Sequence, residues 1–248
     1  MPLRALVFDL WGTLVEDSVV REEPRRLVRV HLVCQALAVS RHPYTEETVA
    51  GAFEAYNKWH GALVAEGRDV AWPERLERFL EHLEPGLARR LPPAGRRAVD
   101  EALVGAIRHH PPLPAPGAHD VLEEARRRGL GVGLVSNTGI TPGYVLRALL
   151  AESGLLAYLQ ALTFSDEACL AKPAPEMFLC TLEALRVAPA NAVFVGDMPH
   201  ADLAGALAVG MWAVQMGDKQ LNGVQPHARI DALPELFGAL EGLGIVAG

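Results

Sequence analysis

The stretch Ala5-Leu6-Val7-Phe8-Asp9-Leu10-Trp11-Gly12-Thr13-Leu14 sets a lone carboxylate at the end of an apolar run and follows it with a glycine turn and a hydroxyl. A charge at that depth is costly without a partner. Asp9 therefore needs a cation, a set of donors or a chemical role. Three later segments carry matching chemistry. Ser136-Asn137-Thr138-Gly139 offers a hydroxyl and neighbouring amides suited to a phosphoryl oxygen. Lys172, in Ala171-Lys172-Pro173-Ala174-Pro175-Glu176, supplies an ammonium that can offset charge on a phosphate and on an attacking carboxylate, while Pro173 and Pro175 restrain its backbone. Gly196-Asp197-Met198-Pro199-His200-Ala201-Asp202 adds two carboxylates, the hard oxygen donors that suit Mg2+. Asp197 is the expected direct ligand and Asp202 its outer partner. Each segment also has a plainer structural role: a turn cap, a strand-to-helix turn, a solvated lysine, or a helix N-terminal charge. His200 fits an exposed helix start equally well and stays outside the catalytic set.

Strand ends are what must bring these groups together. Apolar runs bounded by turns read as buried parallel strands at Ala5 to Phe8, Gly131 to Ser136, Ala161 to Phe164, Ala192 to Val195 and Met211 to Gln215. Helical segments at His119 to Arg128, Pro142 to Leu150, Pro175 to Leu185, His200 to Val209 and Leu233 to Leu243 alternate with them. Repeated β-α units imply an α/β fold with a doubly wound, mostly parallel sheet, whose ligands bind beyond the carboxyl ends of the strands. From about Glu16 to His110 the pattern is helical instead, with apolar spacing at Leu27, Val30, Val33 and Leu37 and again at Leu76, Phe79, Leu80 and Leu83. The proline-rich segment His109 to Gly117 is expected to be a stiff connector back to the core.

In this order, and each at a strand end, the four motifs resemble those of the haloacid dehalogenase-like hydrolase superfamily. The resemblance spans the whole chain. It implies a Rossmann-like catalytic core of residues 1–16 and 115–248 and a helical cap of residues 17–114; the interval between Ser136 and Lys172 is too short for the family's other, larger cap. It also implies that Asp9 attacks phosphorus to form an aspartyl-phosphate that water hydrolyses. Asp9, the backbone carbonyl of Trp11 and Asp197 would hold Mg2+, with Asp202 beside them. Thr13, Ser136 and Lys172 would bind and activate the phosphate, with Asn137 next to it.

Trp11 departs from the pattern. Most phosphatases of the family carry a second aspartate there, as acid and then base, and indole cannot exchange a proton at neutral pH. Three functions remain open: a Mg2+-dependent phosphohydrolase, slow or selective for good leaving groups; a 2-haloacid dehalogenase, whose members carry an aromatic residue at this position; or a binding protein that keeps the fold. The second carboxylate set argues against a carboxylate substrate, and the intact motifs argue against a mere binder.

Composition narrows the partners. The 248 residues carry a net charge of -7 with no long basic stretch, which argues against nucleic acid. The short clusters at Arg25-Arg26 and Arg126-Arg127-Arg128 are expected to be solvated helix faces. No apolar run reaches the roughly 18 residues of a membrane span, and no signal peptide precedes the first strand. Cys34, Cys169 and Cys180 are expected to be buried thiols of a cytoplasmic protein. The expected partner is a small phosphorylated molecule, and the expected state a monomer or homodimer. Trp59, His60 and Trp72 are expected in the core of the helical region.

Overall fold

The computed structural model describes residues 2–16 and 19–247. Its centre is a six-stranded sheet in which every neighbouring pair is parallel. The strands are β1 (Ala5–Phe8), β2 (Gly131–Ser136), β3 (Ala161–Phe164), β4 (Ala192–Gly196), β5 (Trp212–Met216) and β6 (Ala228–Ile230). Their spatial order is β3-β2-β1-β4-β5-β6, the doubly wound order that opens a crevice beside the central strand.

Alternation along the strands splits the interior in two. Leu6, Phe8, Val132, Leu134, Val193 and Val195 face one layer, while Ala5, Val7, Val135, Ala192 and Phe194 face the other. Helices α1 (Val19–Val39), α2 (Glu46–Ala65), α3 (Trp72–Leu83), α4 (Leu87–Arg90) and α5 (Pro93–Gly105) form the region between β1 and β2. In the core, α6 (Ala118–Arg127), α7 (Gly143–Glu152), α8 (Ser165–Ala168), α9 (Pro175–Leu185), α10 (Ala204–Ala208) and α11 (Leu236–Gly242) complete the fold. Residues of α6, α7 and α11 cover the first face, and those of α9 and α10 the second.

The inserted helices have a core of their own. Val30, Val33 and Leu37 of α1 meet Phe53 and Tyr56 of α2 and Leu76, Phe79, Leu80 and Leu83 of α3. Burying each such side chain contributes about 1.5–3 kcal/mol. Trp72 and His60 are buried and Trp59 packs against them, as expected. The expected start of this insertion at Asp17 lies outside the described residues. Its two chain connections run side by side: Val15–Glu16 pairs antiparallel with Leu113–Pro114, so the proline connector is a short strand rather than a free spacer.

Four details differ from expectation. Leu27 is exposed, because it lies off the buried stripe of α1. Arg25 is buried and donates to the His110 carbonyl at 3.2 Å, because its helix face turns toward the core instead of solvent. Cys169 and Cys180 are exposed and Cys34 is half-buried, since none of them falls on the inner face of its segment. Strand β6 went unforeseen, because three residues with Arg229 at the centre carry no apolar pattern.

One contact tests the packing of the second layer. A Cβ on Gly205 would lie 2.3 Å from Phe178 Cε2 and 3.1 Å from the Pro173 carbonyl oxygen. Gly205→Ala should therefore cost about 1–3 kcal/mol through overpacking. The measurement is the urea midpoint, and an unchanged midpoint would refute the close approach.

Candidate active site

Because β1 and β4 are neighbours in parallel register, with Phe8 opposite Val195, the residues after them emerge together. Asp9 N-H continues the ladder by donating to the Val195 carbonyl at 2.9 Å. Asp9, Asp197 and Asp202 each bring a carboxylate oxygen to within 4.8 Å of the others. Two glycines permit this crowding. Gly12 has φ +73°, and a Cβ on it would lie 2.8 Å from Asp197 Oδ2; one on Gly196 would lie 2.5 Å from Asp202 Oδ2.

Lys172 arrives from the loop between α8 and α9. Its Nζ donates to Asp9 Oδ1 at 2.5 Å and to Asp202 Oδ1 at 2.6 Å, and it sits 5.6 Å from the Phe194 ring centroid. Only 3% of its side chain is exposed. Burial pushes the Asp9 carboxyl up to about 7, with Asp202 and Asp197 adding to the rise and the Lys172 ammonium opposing it. Burial disfavours the Lys172 ammonium, yet Asp202 and Asp9 hold its pKa above the ordinary value.

The expected residues divide by what their atoms already do. Thr13 Oγ1 and Asp197 Oδ1 are buried without a protein partner. A phosphoryl oxygen and a divalent cation fit these two atoms, since buried polar groups require partners. Ser136 is fully buried, and its hydroxyl donates weakly to the Asn137 carbonyl at 3.2 Å. Both oxygens of Asp202 are engaged: Oδ1 accepts from Lys172 and Oδ2 from Met198 N-H at 2.9 Å. It lies in the π-helical turn Pro199–Leu203 that precedes α10. Asn137 is half-buried and lines the cleft beside Trp11. Its amide also brackets Lys172, donating to the carbonyl at 3.1 Å and accepting from N-H at 2.7 Å. Trp11 is half-buried at the seam with the inserted helices. It lines a cleft of about 350 Å³ together with Arg25, Arg29, Phe53, Asn57 and Asn137. His200 is exposed.

Sequence reasoning missed Lys219. This exposed ammonium lies 2.5 Å from Asp197 Oδ2, and its backbone carbonyl accepts from the Gln215 side chain. The available signal was a glutamine ending an apolar strand just before one of only three lysines; that glutamine is buried.

A doubly wound parallel sheet with a carboxylate cluster and a buried lysine at its carboxyl edge is a Rossmann-like α/β architecture. A family profile described as haloacid dehalogenase-like hydrolase matches residues 3–210, and the chain belongs to that family. It is similar to the phosphoserine phosphatase of Thermus thermophilus, at 31% identity over 95% of this chain and 98% of that protein. The solved HAD phosphatase from Thermococcus onnurineus superposes with a TM-score of 0.68 at 26% identity, covering 99% of this chain and all of the other. A 2-haloacid dehalogenase from Pseudomonas syringae shares the fold with a TM-score of 0.69 at 20% identity, over 97% of this chain and 99% of that one. Among the described residues, no helix is long and apolar enough to cross a membrane.

Removing the buried cation tests the electrostatics. Lys172→Met strands two buried carboxylates, and breaking a buried pair from one side typically costs about 3–5 kcal/mol. In metal-free buffer the denaturant midpoint should fall accordingly, and adding Asp202→Asn should recover part of the loss because the sites are coupled. Strictly additive effects would contradict the ion-pair account.

Proposed function

We propose that the chain is a Mg2+-dependent phosphohydrolase acting through an aspartyl-phosphate on a small phosphorylated metabolite. Residues 1–16 and 115–248 are its catalytic core in this reading, and residues 17–114 its cap. The observation that carries it is the Lys172–Asp9 pair set beside two unpartnered buried oxygens, Thr13 Oγ1 and Asp197 Oδ1. The phosphoserine phosphatase among its relatives supports the substrate class.

Asp9, the Trp11 carbonyl and Asp197 would hold the ion, and Asp202 would fix Lys172 next to it. When bound, Mg2+ neutralises charge on the phosphoryl oxygens and Asp9. A carboxylate oxygen of Asp9 bonds to phosphorus while the bond from phosphorus to the leaving oxygen breaks. Thr13 and Ser136 orient the phosphoryl oxygens, and the Lys172 ammonium balances their charge and that of Asp9. The leaving oxygen takes its proton from solvent, because Trp11 has none to give. Water then attacks phosphorus, the bond to Asp9 breaks, and inorganic phosphate departs with the carboxylate restored. The missing acid costs about 10²–10⁴ in rate for poor leaving groups, or roughly 3–5 kcal/mol. Acyl phosphates and aryl esters should therefore turn over best.

Phosphate release from acetyl phosphate or p-nitrophenyl phosphate should require Mg2+ and disappear in Asp9→Asn. Trp11→Asp should raise hydrolysis of alkyl phosphates by about tenfold or more if the acid is all that is lacking. Metal-independent halide release from 2-haloacids would instead establish displacement at carbon by Asp9, the reading that the aromatic residue at position 11 favours. Neither activity in a folded protein would leave a binding role.

A further inference from the structure

Arg75 is the largest fully buried side chain in the described residues, and it belongs to α3, not to the core. A guanidinium has five N-H donors in a fixed fork, and here every one has an acceptor. Two bonds stay local: Nε donates to the Val70 carbonyl at 3.0 Å, and Nη2 to Asp69 Oδ2. Three cross to the turn after β2, reaching the Thr138 carbonyl at 3.2 Å, the Gly139 carbonyl, and Thr138 Oγ1 at 2.8 Å. That turn directly follows Ser136.

The same node reaches the lysine loop. Arg68 and Leu170 form an antiparallel bridge, with Asp69 N-H donating to the Cys169 carbonyl at 3.3 Å and Ala171 N-H to the Gly67 carbonyl at 3.0 Å. Residue 172 follows at once, and its main chain is gripped on the other side by Asn137. Asp69 accepts from His60 Nε2 at 3.1 Å and from Val70 N-H at 2.7 Å, so the inserted helices hold it rigidly. Burial pushes its carboxyl up, but the His60 bond and the Arg75 charge bring it below the usual carboxylate range. Thr138 is tied in turn to α8: its N-H donates to Ser165 Oγ at 2.8 Å and its hydroxyl to Asp166 Oδ1 at 3.0 Å.

We propose that Arg75 is a positioning residue for the phosphate site: seated on Asp69, it fastens the Thr138-Gly139 turn to the inserted helices, which also hold the strand leading into Lys172. The two groups expected to grip a phosphoryl group, Ser136 and Lys172, are thereby held at a fixed spacing by residues that touch neither substrate nor metal. This rests on the phosphohydrolase reading for its catalytic consequence, but not for the tether itself. A misplacement of about 1 Å in such a constellation can cost about 10²-fold in rate. The tether acts on the phosphoryl half of any substrate, so its loss should be blind to the leaving group.

The test uses Arg75→Lys, which keeps the charge but not the fork, and Arg75→Met. Amide hydrogen exchange in the ligand-free full chain should show the Thr138 amide losing protection by about tenfold or more in both variants, while buried amides of α2 and α3 keep theirs. The inhibition constant for orthovanadate and the KM values for acetyl phosphate and p-nitrophenyl phosphate should all rise together, by about tenfold in Arg75→Lys. Loss of kcat alone, with KM and vanadate inhibition unchanged, would mean a smaller folded fraction and overturn the proposal. So would an effect on one leaving group only, or equal loss of protection across α2 and α3. If the unmodified protein hydrolyses neither ester, the phosphohydrolase reading fails and the exchange measurement alone decides the tether.

Discussion

A single buried ammonium is the constraint around which the carboxyl edge of the sheet is built. Lys172 lies between Asp9 and Asp202, and Asp197 brings a carboxylate oxygen to within 4.8 Å of theirs. Moving these charges out of water costs several kcal/mol per ion, and well-packed apolar residues of similar volume would often be as stable or more so. The cluster therefore does not exist for stability. It also dictates backbone detail: Gly12 and Gly196 leave out the side-chain atoms that would collide with Asp197 and Asp202. The π-helical turn lets Asp202 curl back to cap Met198 while still facing the lysine. Local irregularity of that kind is frequent at functional sites.

The sheet supplies the edge, but the inserted helices supply part of its rigidity. The insertion is joined to the core at points far apart in sequence, among them the paired connections at Val15–Glu16 and Leu113–Pro114 and the node of Arg75 with Asp69. The first is a narrow two-strand ribbon; the second is a buried polar network in which each Arg75 N-H has an acceptor. A half-satisfied network of this depth would destabilise the fold, whereas a complete one specifies a single arrangement. Between these attachments lies the cleft lined by Trp11, Arg25 and Asn57, open along the seam.

What the sequence disclosed follows from how each signal is encoded. The five longer strands and the strand-end residues Asp9 and Asp197 were legible because an apolar run ending at a polar turn is local information. Parallel register then does the rest, since adjacent strand ends must converge. Side-chain use was not legible. Asn137 offers donors in the sequence, and in the structure its amide also brackets the Lys172 backbone 35 residues away. Arg75 sits on α3 among acidic and basic neighbours and looks solvated until tertiary packing turns it inward, where Thr138 and Gly139 wait. Arg25 misled in the same way. Lys219 was hidden because the contact with Asp197 depends on a loop conformation fixed by Gln215. Long-range polar contacts carry no periodicity, so pattern reading passes over them.

Trp11 separates two contributions that phosphoryl-transfer sites usually combine. The groups that can stabilise charge are present: the Lys172 ammonium, the Thr13 and Ser136 hydroxyls and the carboxylate set. In the proposed reaction, what has gone is the group that would pass a proton to the leaving oxygen and then take one from the attacking water. Preorganised electrostatic groups are worth about 10²–10³ each, and a positioned acid about 10²–10⁴ in total. The retained groups act jointly and therefore outweigh the one removed. On the proposed function, transfer to Asp9 would depend on the basicity of the departing oxygen, and hydrolysis of the intermediate would proceed without a positioned base.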